Sequence, residues 1–105
     1  MIKAIVTKHD NEYVSFRCEG HAGFARKGKD IVCAAVSVLT TTTLNSIELL
    51  TDCPFKGSSK DGFLEWEFVD DCSKEATLLM DSLILGLNQI SNEYSKLVRL
   101  EIREV

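Results

Sequence analysis

The sequence predicts an α+β fold, two helices packed on a largely antiparallel five-stranded sheet in the order ββαββαβ, and three observations predict it. Two N-terminal runs alternate apolar and polar residues at the period of a strand. Two later, longer runs carry apolar residues at the period of a helix, each behind a capping residue, and between them an Asp-Gly pair joins two short alternating runs. The 105 residues suit a single domain, residues 1–105, long enough to bury one core without disulfide or metal staples.

In chain order, Ile2, Ala4 and Val6 alternate with Lys3, Ile5 and Thr7. After the polar turn His9-Asp10-Asn11-Glu12, the residues Val14, Phe16 and Cys18 alternate with Tyr13, Ser15 and Arg17, so the two runs form a hairpin. The pattern dissolves over residues 19–29, where Gly20, Gly23 and Gly28 free the backbone and predict a loop. Asp30 then precedes Ile31-Val32-Cys33, the arrangement of an N-cap, and the first helix starts at residue 31. Val32, Val36, Leu39, Thr43, Ile47 and Leu50 form its expected core stripe, and Pro54 follows its end. Strands at residues 55–59 and 63–69 turn at Lys60-Asp61-Gly62, with Leu64, Trp66 and Phe68 on one face and Glu65 and Glu67 on the other. Asp71 or Ser73 caps a second helix carrying Ala76, Leu79, Met80, Leu83, Ile84, Leu87 and Ile90. A strand at residues 97–103, with Val98, Leu100 and Ile102 inward, closes the order.

Composition narrows the function. Twelve Lys+Arg against sixteen Asp+Glu give a net charge of −4 with no basic block, which argues against nucleic-acid binding. The apolar runs read as shorter than the ~20 residues of a membrane span, and the N-terminal run enters strand-like alternation rather than a signal peptide, so no membrane and a cytoplasmic location are expected. Cys18, Cys33, Cys53 and Cys72 contain no Cys-x-x-Cys, which favours reduced thiols over a disulfide framework or zinc ribbon. Cys18-x-x-His21 with Cys33 is the nearest metal-like set. It lacks a second close pair, and neither a metal nor another cofactor is expected.

The informative stretch is residues 20–37. With Asp30 as cap, Cys33 occupies the third helical position, where the helix dipole and unpaired N–H groups favour a thiolate and offer donors to an oxyanion. His21, in the glycine loop, is the candidate partner that protonates a leaving amine. Gly20, Gly23 and Gly28 can hinge this loop over a peptide, with Phe24 covering apolar side chains. Plain readings stand beside these: Cys33 as a small core residue, His21 as an ordinary loop residue, Asp30 as a cap only, Ser37 as a helix residue bonding its own backbone. Spacing alone leaves both sets open.

The run Gly20-His21-Ala22-Gly23-Phe24-Ala25, with Gly28 and Asp30-Ile31-Val32-Cys33-Ala34-Ala35-Val36-Ser37, resembles the signature of the ribosomal-processing cysteine protease family Prp. Length and element order are similar over essentially the whole chain. The resemblance implies a small bacterial cytoplasmic endopeptidase, without cofactor, that removes a short N-terminal extension from a large-subunit ribosomal protein and so supports ribosome assembly. It matches Cys33 to the family nucleophile and His21 to its histidine, with Asp30 and Ser37 at further motif positions. It also implies a homodimer, compatible with Ala34, Val38, Leu78 and Leu85 lying outside a single helical stripe. The alternative is a non-enzymatic α+β module that binds a ribosomal protein and merely buries Cys33; thiol alkylation separates the two.

Overall fold

The computed structural model describes residues 1–23, 25–26 and 29–105. Among them the elements run β1 (Ile2–His9), β2 (Glu12–Gly20), α1 (Ile31–Leu50), β3 (Phe55–Lys60), β4 (Phe63–Phe68), α2 (Lys74–Glu93) and β5 (Val98–Glu104). The expected order ββαββαβ is therefore observed. The strands form one sheet in the order β3-β4-β2-β1-β5, antiparallel throughout except for the parallel pair β1 and β5. That exception follows from α2, which carries the chain back across the sheet as a crossover.

Asp10 (φ 49°) and Asn11 (φ 67°) are both left-handed, as a tight two-residue hairpin demands, and short polar side chains tolerate that region best. The β1–β2 ladder then shifts register: Thr7 faces Ser15 but Lys8 faces Tyr13, leaving Val14 as a bulge. The bulge overturns the simple alternation expected for β2. Tyr13 turns inward and is buried, while Val14 is only half-buried. The Tyr13 hydroxyl donates to the Asp81 carboxylate on α2, tying the sheet to that helix.

The core combines Ala4, Val6, Phe16, Trp66 and Val98 of the sheet with Val32, Val36 and Ile47 of α1 and Ala76, Met80, Leu83 and Leu87 of α2. Phe16 and Trp66 stack with ring centroids 4.7 Å apart. Thr40, which the core stripe did not include, is also buried on α1: its hydroxyl donates to the Val36 carbonyl oxygen at 2.9 Å, which leaves its methyl free to pack. Two expectations about burial fail. Leu50, the last residue of α1, is 73% exposed, and Ile102, near the end of the edge strand β5, is 54% exposed. Ser73, rather than Asp71, caps α2 by accepting from the Ala76 N–H at 3.1 Å.

With 20 residues and a mean hydropathy of 1.3, α1 has the length and composition of a membrane span, contrary to the expectation from the sequence. It is a core helix: its buried stripe joins the common core and it packs beside α2. Its other side exposes Ile31, Val38, Leu49 and Leu50.

Burial pushes the Cys18 and Cys72 thiols up, each to about 11, and raises the Tyr13 phenol, which the Asp81 carboxylate raises further. In all three the folded state favours the protonated form. Their stabilising contribution is therefore complete below the unfolded values and is lost as pH rises through the folded ones. The urea midpoint is expected to fall steadily from pH 9 to pH 11, and a constant midpoint over that interval would contradict the burial of these groups.

Candidate active site

The site is assembled where the end of β2, the start of α1 and the β3–β4 turn meet. Asp30, with φ −81° and ψ 99°, is the N-cap of α1: its Oδ1 accepts from the N–H groups of Val32 at 3.0 Å and Cys33 at 2.9 Å. Its carbonyl oxygen accepts from the Ala34 N–H at 3.1 Å. These bonds fix the first turn of α1 and place the half-buried Cys33 at its positive end. They also correct one expectation. The N–H groups of Val32, Cys33 and Ala34 are engaged by Asp30, so this turn does not present them as an open oxyanion site.

A different main-chain donor reaches the sulfur. The Ala22 N–H donates to Cys33 Sγ at 3.2 Å, and Ala22 itself is buried. Its position follows from its neighbours. Gly20, at φ 97°, ends β2 in a conformation that redirects the chain, and its N–H donates to the Gly62 carbonyl oxygen at 2.9 Å. The Met1 nitrogen donates to the His21 carbonyl oxygen at 2.6 Å. The backbone of residues 20–22 is thus held from three sides, by β1, by the β3–β4 turn and by the Cys33 sulfur.

His21 is exposed and its imidazole lies against Gly62. Among the described residues, no hydrogen bond joins this ring to the Cys33 thiol, but both side chains line one cleft of about 640 Å³. Asp30, Gly20, Gly23 and Ser37 line it too, so the structure brings these predicted site residues together. Phe24 and Gly28 lie outside the described residues. Ser37 is exposed, one helical turn beyond Cys33.

The cleft also contains residues that sequence reasoning passed over. Lys60, Asp61, Gly62 and Phe63 come from the β3–β4 turn, which the sequence marks only as a hairpin by its Asp-Gly pair. Cys18 lines the cleft too, a cysteine that the sequence placed only among the reduced thiols and in the metal-like set with His21 and Cys33. It faces the cleft from β2, where burial first and the neighbouring Cys33 second keep it protonated.

This arrangement is a thiol held at a capped helix N-terminus, with a main-chain donor on its sulfur and an imidazole in the same cleft. Comparison with known proteins decides its class: the family model described as Cysteine protease Prp matches residues 1–99. The chain belongs to the cysteine protease Prp family. The ribosomal processing cysteine protease Prp of Bacillus subtilis is 32% identical over 107 residues, covering 95% of this chain and 96% of that protein. The crystal structure of the S. aureus ribosomal processing protease Prp with a covalently linked product peptide superposes with a TM-score of 0.93. It is 29% identical and covers 98% of this chain and 100% of its own. The same S. aureus protein with a substrate peptide gives a TM-score of 0.87 at 28% identity, covering 98% and 100%. As a Prp protein the chain is a cysteine protease, which sets aside the reading as a non-enzymatic module.

Within Prp chemistry, the cap at Asp30 makes a separable contribution. Asn caps helices about as well as Asp, so Asp30→Asn is expected to melt near the wild-type temperature, whereas Asp30→Ala loses ~1 kcal/mol of stability. If capping is the whole role, Asp30→Asn keeps its peptide-cleavage rate and Asp30→Ala loses rate together with stability. A stable Asp30→Asn variant with little cleavage would assign the carboxylate charge a direct part in the site.

Proposed function

We propose that Cys33 and His21 are the catalytic pair of an endopeptidase that removes a short N-terminal extension from a large-subunit ribosomal protein in the bacterial cytoplasm. The observation that carries this reading is the Cys33 sulfur at the start of α1, receiving the Ala22 N–H at 3.2 Å inside a cleft shared with His21. The names of the relatives supply the substrate class: they are ribosomal processing proteases, and the S. aureus one is seen with a substrate peptide and with a covalently linked product peptide.

The thiolate of Cys33 attacks the scissile carbonyl carbon, forming the S–C bond as the carbonyl π electrons move to oxygen. The Ala22 N–H, aimed at the sulfur in the free protein, takes up the oxyanion. Protonated His21 gives its proton to the leaving amine as the C–N bond breaks, producing a thioester. Neutral His21 then removes a proton from water, and hydroxide attack releases the new carboxylate and regenerates the thiolate. Asp30 holds Cys33 in register and Ser37 lies on the cleft wall, in reach of the bound peptide. Every step proceeds with side chains, main chain and water, so no cofactor enters.

Incubating this chain with the large-subunit ribosomal proteins of its host should shorten one of them at its N-terminus, as read by intact mass. Unchanged masses for every one of those proteins would overturn the substrate assignment. The protease is further proposed to act as a homodimer, because α1 and α2 expose Val38 (65%), Leu49 (77%), Leu78 (69%) and Leu85 (73%), apolar surface suited to a second copy.

A further inference from the structure

We propose that the β3–β4 turn, through Gly62, is the element that positions the His21 imidazole. The inference rests on His21 acting with Cys33, and extends that pairing to a residue 41 positions further along the chain.

A Cβ built on Gly62 would stand 2.7 Å from His21 Nε2, 3.3 Å from Cε1 and 3.5 Å from Cδ2. All three atoms are on the ring, so the imidazole fills the space that any side chain at position 62 would take. The ring rests on bare backbone, a surface that has no rotamers and cannot move aside. The same residue also holds the backbone beside the ring: its carbonyl oxygen accepts from the Gly20 N–H at 2.9 Å. Gly62 therefore sets the position of His21 twice, through the strand end that carries it and through the wall its ring lies against. Asp61 and Gly62 line the cleft with Cys33, so this wall forms part of the site.

Gly62 also has φ 72°, and a glycine kept only for the turn would be explained by that angle alone. The two explanations separate because Asn tolerates left-handed backbone yet carries a Cβ. A turn that needs only positive φ accepts Gly62→Asn without functional loss. A turn that supports the imidazole does not, since the colliding atoms belong to a side chain that swings away while the fold stays intact.

The experiment compares wild type, Gly62→Asn, His21→Ala and the double variant, with Gly57→Ala on neighbouring β3 as a control for general hairpin perturbation. Gly62→Asn should fold, lower kcat on the order of 100-fold with KM little changed, and move the pH profile of Cys33 alkylation toward that of His21→Ala. In the His21→Ala background, Gly62→Asn should leave the alkylation profile where it is. Gly57→Ala should cleave as wild type. In the wild-type protein, NMR should show cross-relaxation between the His21 ring protons and the Gly62 Hα protons, a readout independent of whether any variant folds. Absent cross-relaxation, a folded Gly62→Asn with wild-type kcat, or an alkylation change of equal size with and without the imidazole would each overturn the positioning role. His21→Ala cleaving at the wild-type rate would overturn the catalytic pair itself, and this role with it. An inactive His21→Ala beside a fully active Gly62→Asn would overturn only the inference about Gly62.

Discussion

Cys33→Ala is expected to fold and melt close to the wild type while losing peptide cleavage on the order of 10⁴-fold or more, the scale seen when a covalent nucleophile is removed. Stability should barely change, because the half-buried thiol makes one described hydrogen bond, from Ala22, and its loss leaves the Asp30 cap intact. The catalytic loss is large because no other described side chain in the cleft replaces the sulfur. Cys18, also in the cleft, is held protonated with its thiol pushed up to about 11, far from the nucleophilic form at neutral pH. Cys72→Ser, outside the cleft, should cleave as the wild type does. Single-turnover assays on an extension peptide, with melting curves for each protein, test this directly. A folded Cys33→Ala that still cleaves at near the wild-type rate would refute nucleophilic catalysis by this residue.

The contrast between Cys33 and its surroundings shows what a sequence can carry. The glycine-His loop, the capping Asp30 and Cys33 lie within a short segment, and the geometry that matters there is local: an N-cap three residues before the thiol sets its place on the helix. Strand alternation likewise located β1 and β4 and their buried residues. Features that depend on distant pairings were not legible. The bulge at Val14 depends on how β2 registers against β1, so Tyr13 faces the core although alternation places it with Ser15 and Arg17. Leu50 and Ile102 read as core until the ends of α1 and β5 are seen to be exposed. At the site, the Ala22 N–H carries no side-chain signature at all. The Asp-Gly pair at positions 61 and 62 announces a turn but not which loop the turn will touch.

Among the described glycines, Gly20→Ala is expected to be the most damaging substitution to stability. At φ 97° an L side chain is strained, and a Cβ there would lie 2.2 Å from the Met1 carbonyl oxygen, 3.3 Å from the Met1 carbonyl carbon and 3.6 Å from the Ile2 Cα. Each of these is a backbone atom, so no rotamer change relieves the overlap; the end of β1 must move. Gly20 is the ladder partner of Ile2, and the Met1 nitrogen donates to the carbonyl oxygen of His21. Moving that strand end therefore costs sheet pairing and releases the backbone that carries the imidazole. Strain and displacement together should cost about 3 kcal/mol, lowering the melting temperature by roughly 15 °C. Gly23 provides the comparison: it is also left-handed, at φ 70°, but a Cβ there meets nothing within 4 Å. Gly23→Ala should lose only the left-handed penalty of about 1 kcal/mol. Calorimetry on the two variants separates conformational strain from steric exclusion, since both carry the first and only Gly20→Ala carries the second. Equal melting temperatures would mean that β1 yields without cost and that Gly20 is present for its backbone angle alone. Where Gly20→Ala remains folded at low temperature, its cleavage should still be depressed, because the carbonyl of His21 no longer has its fixed partner across the sheet.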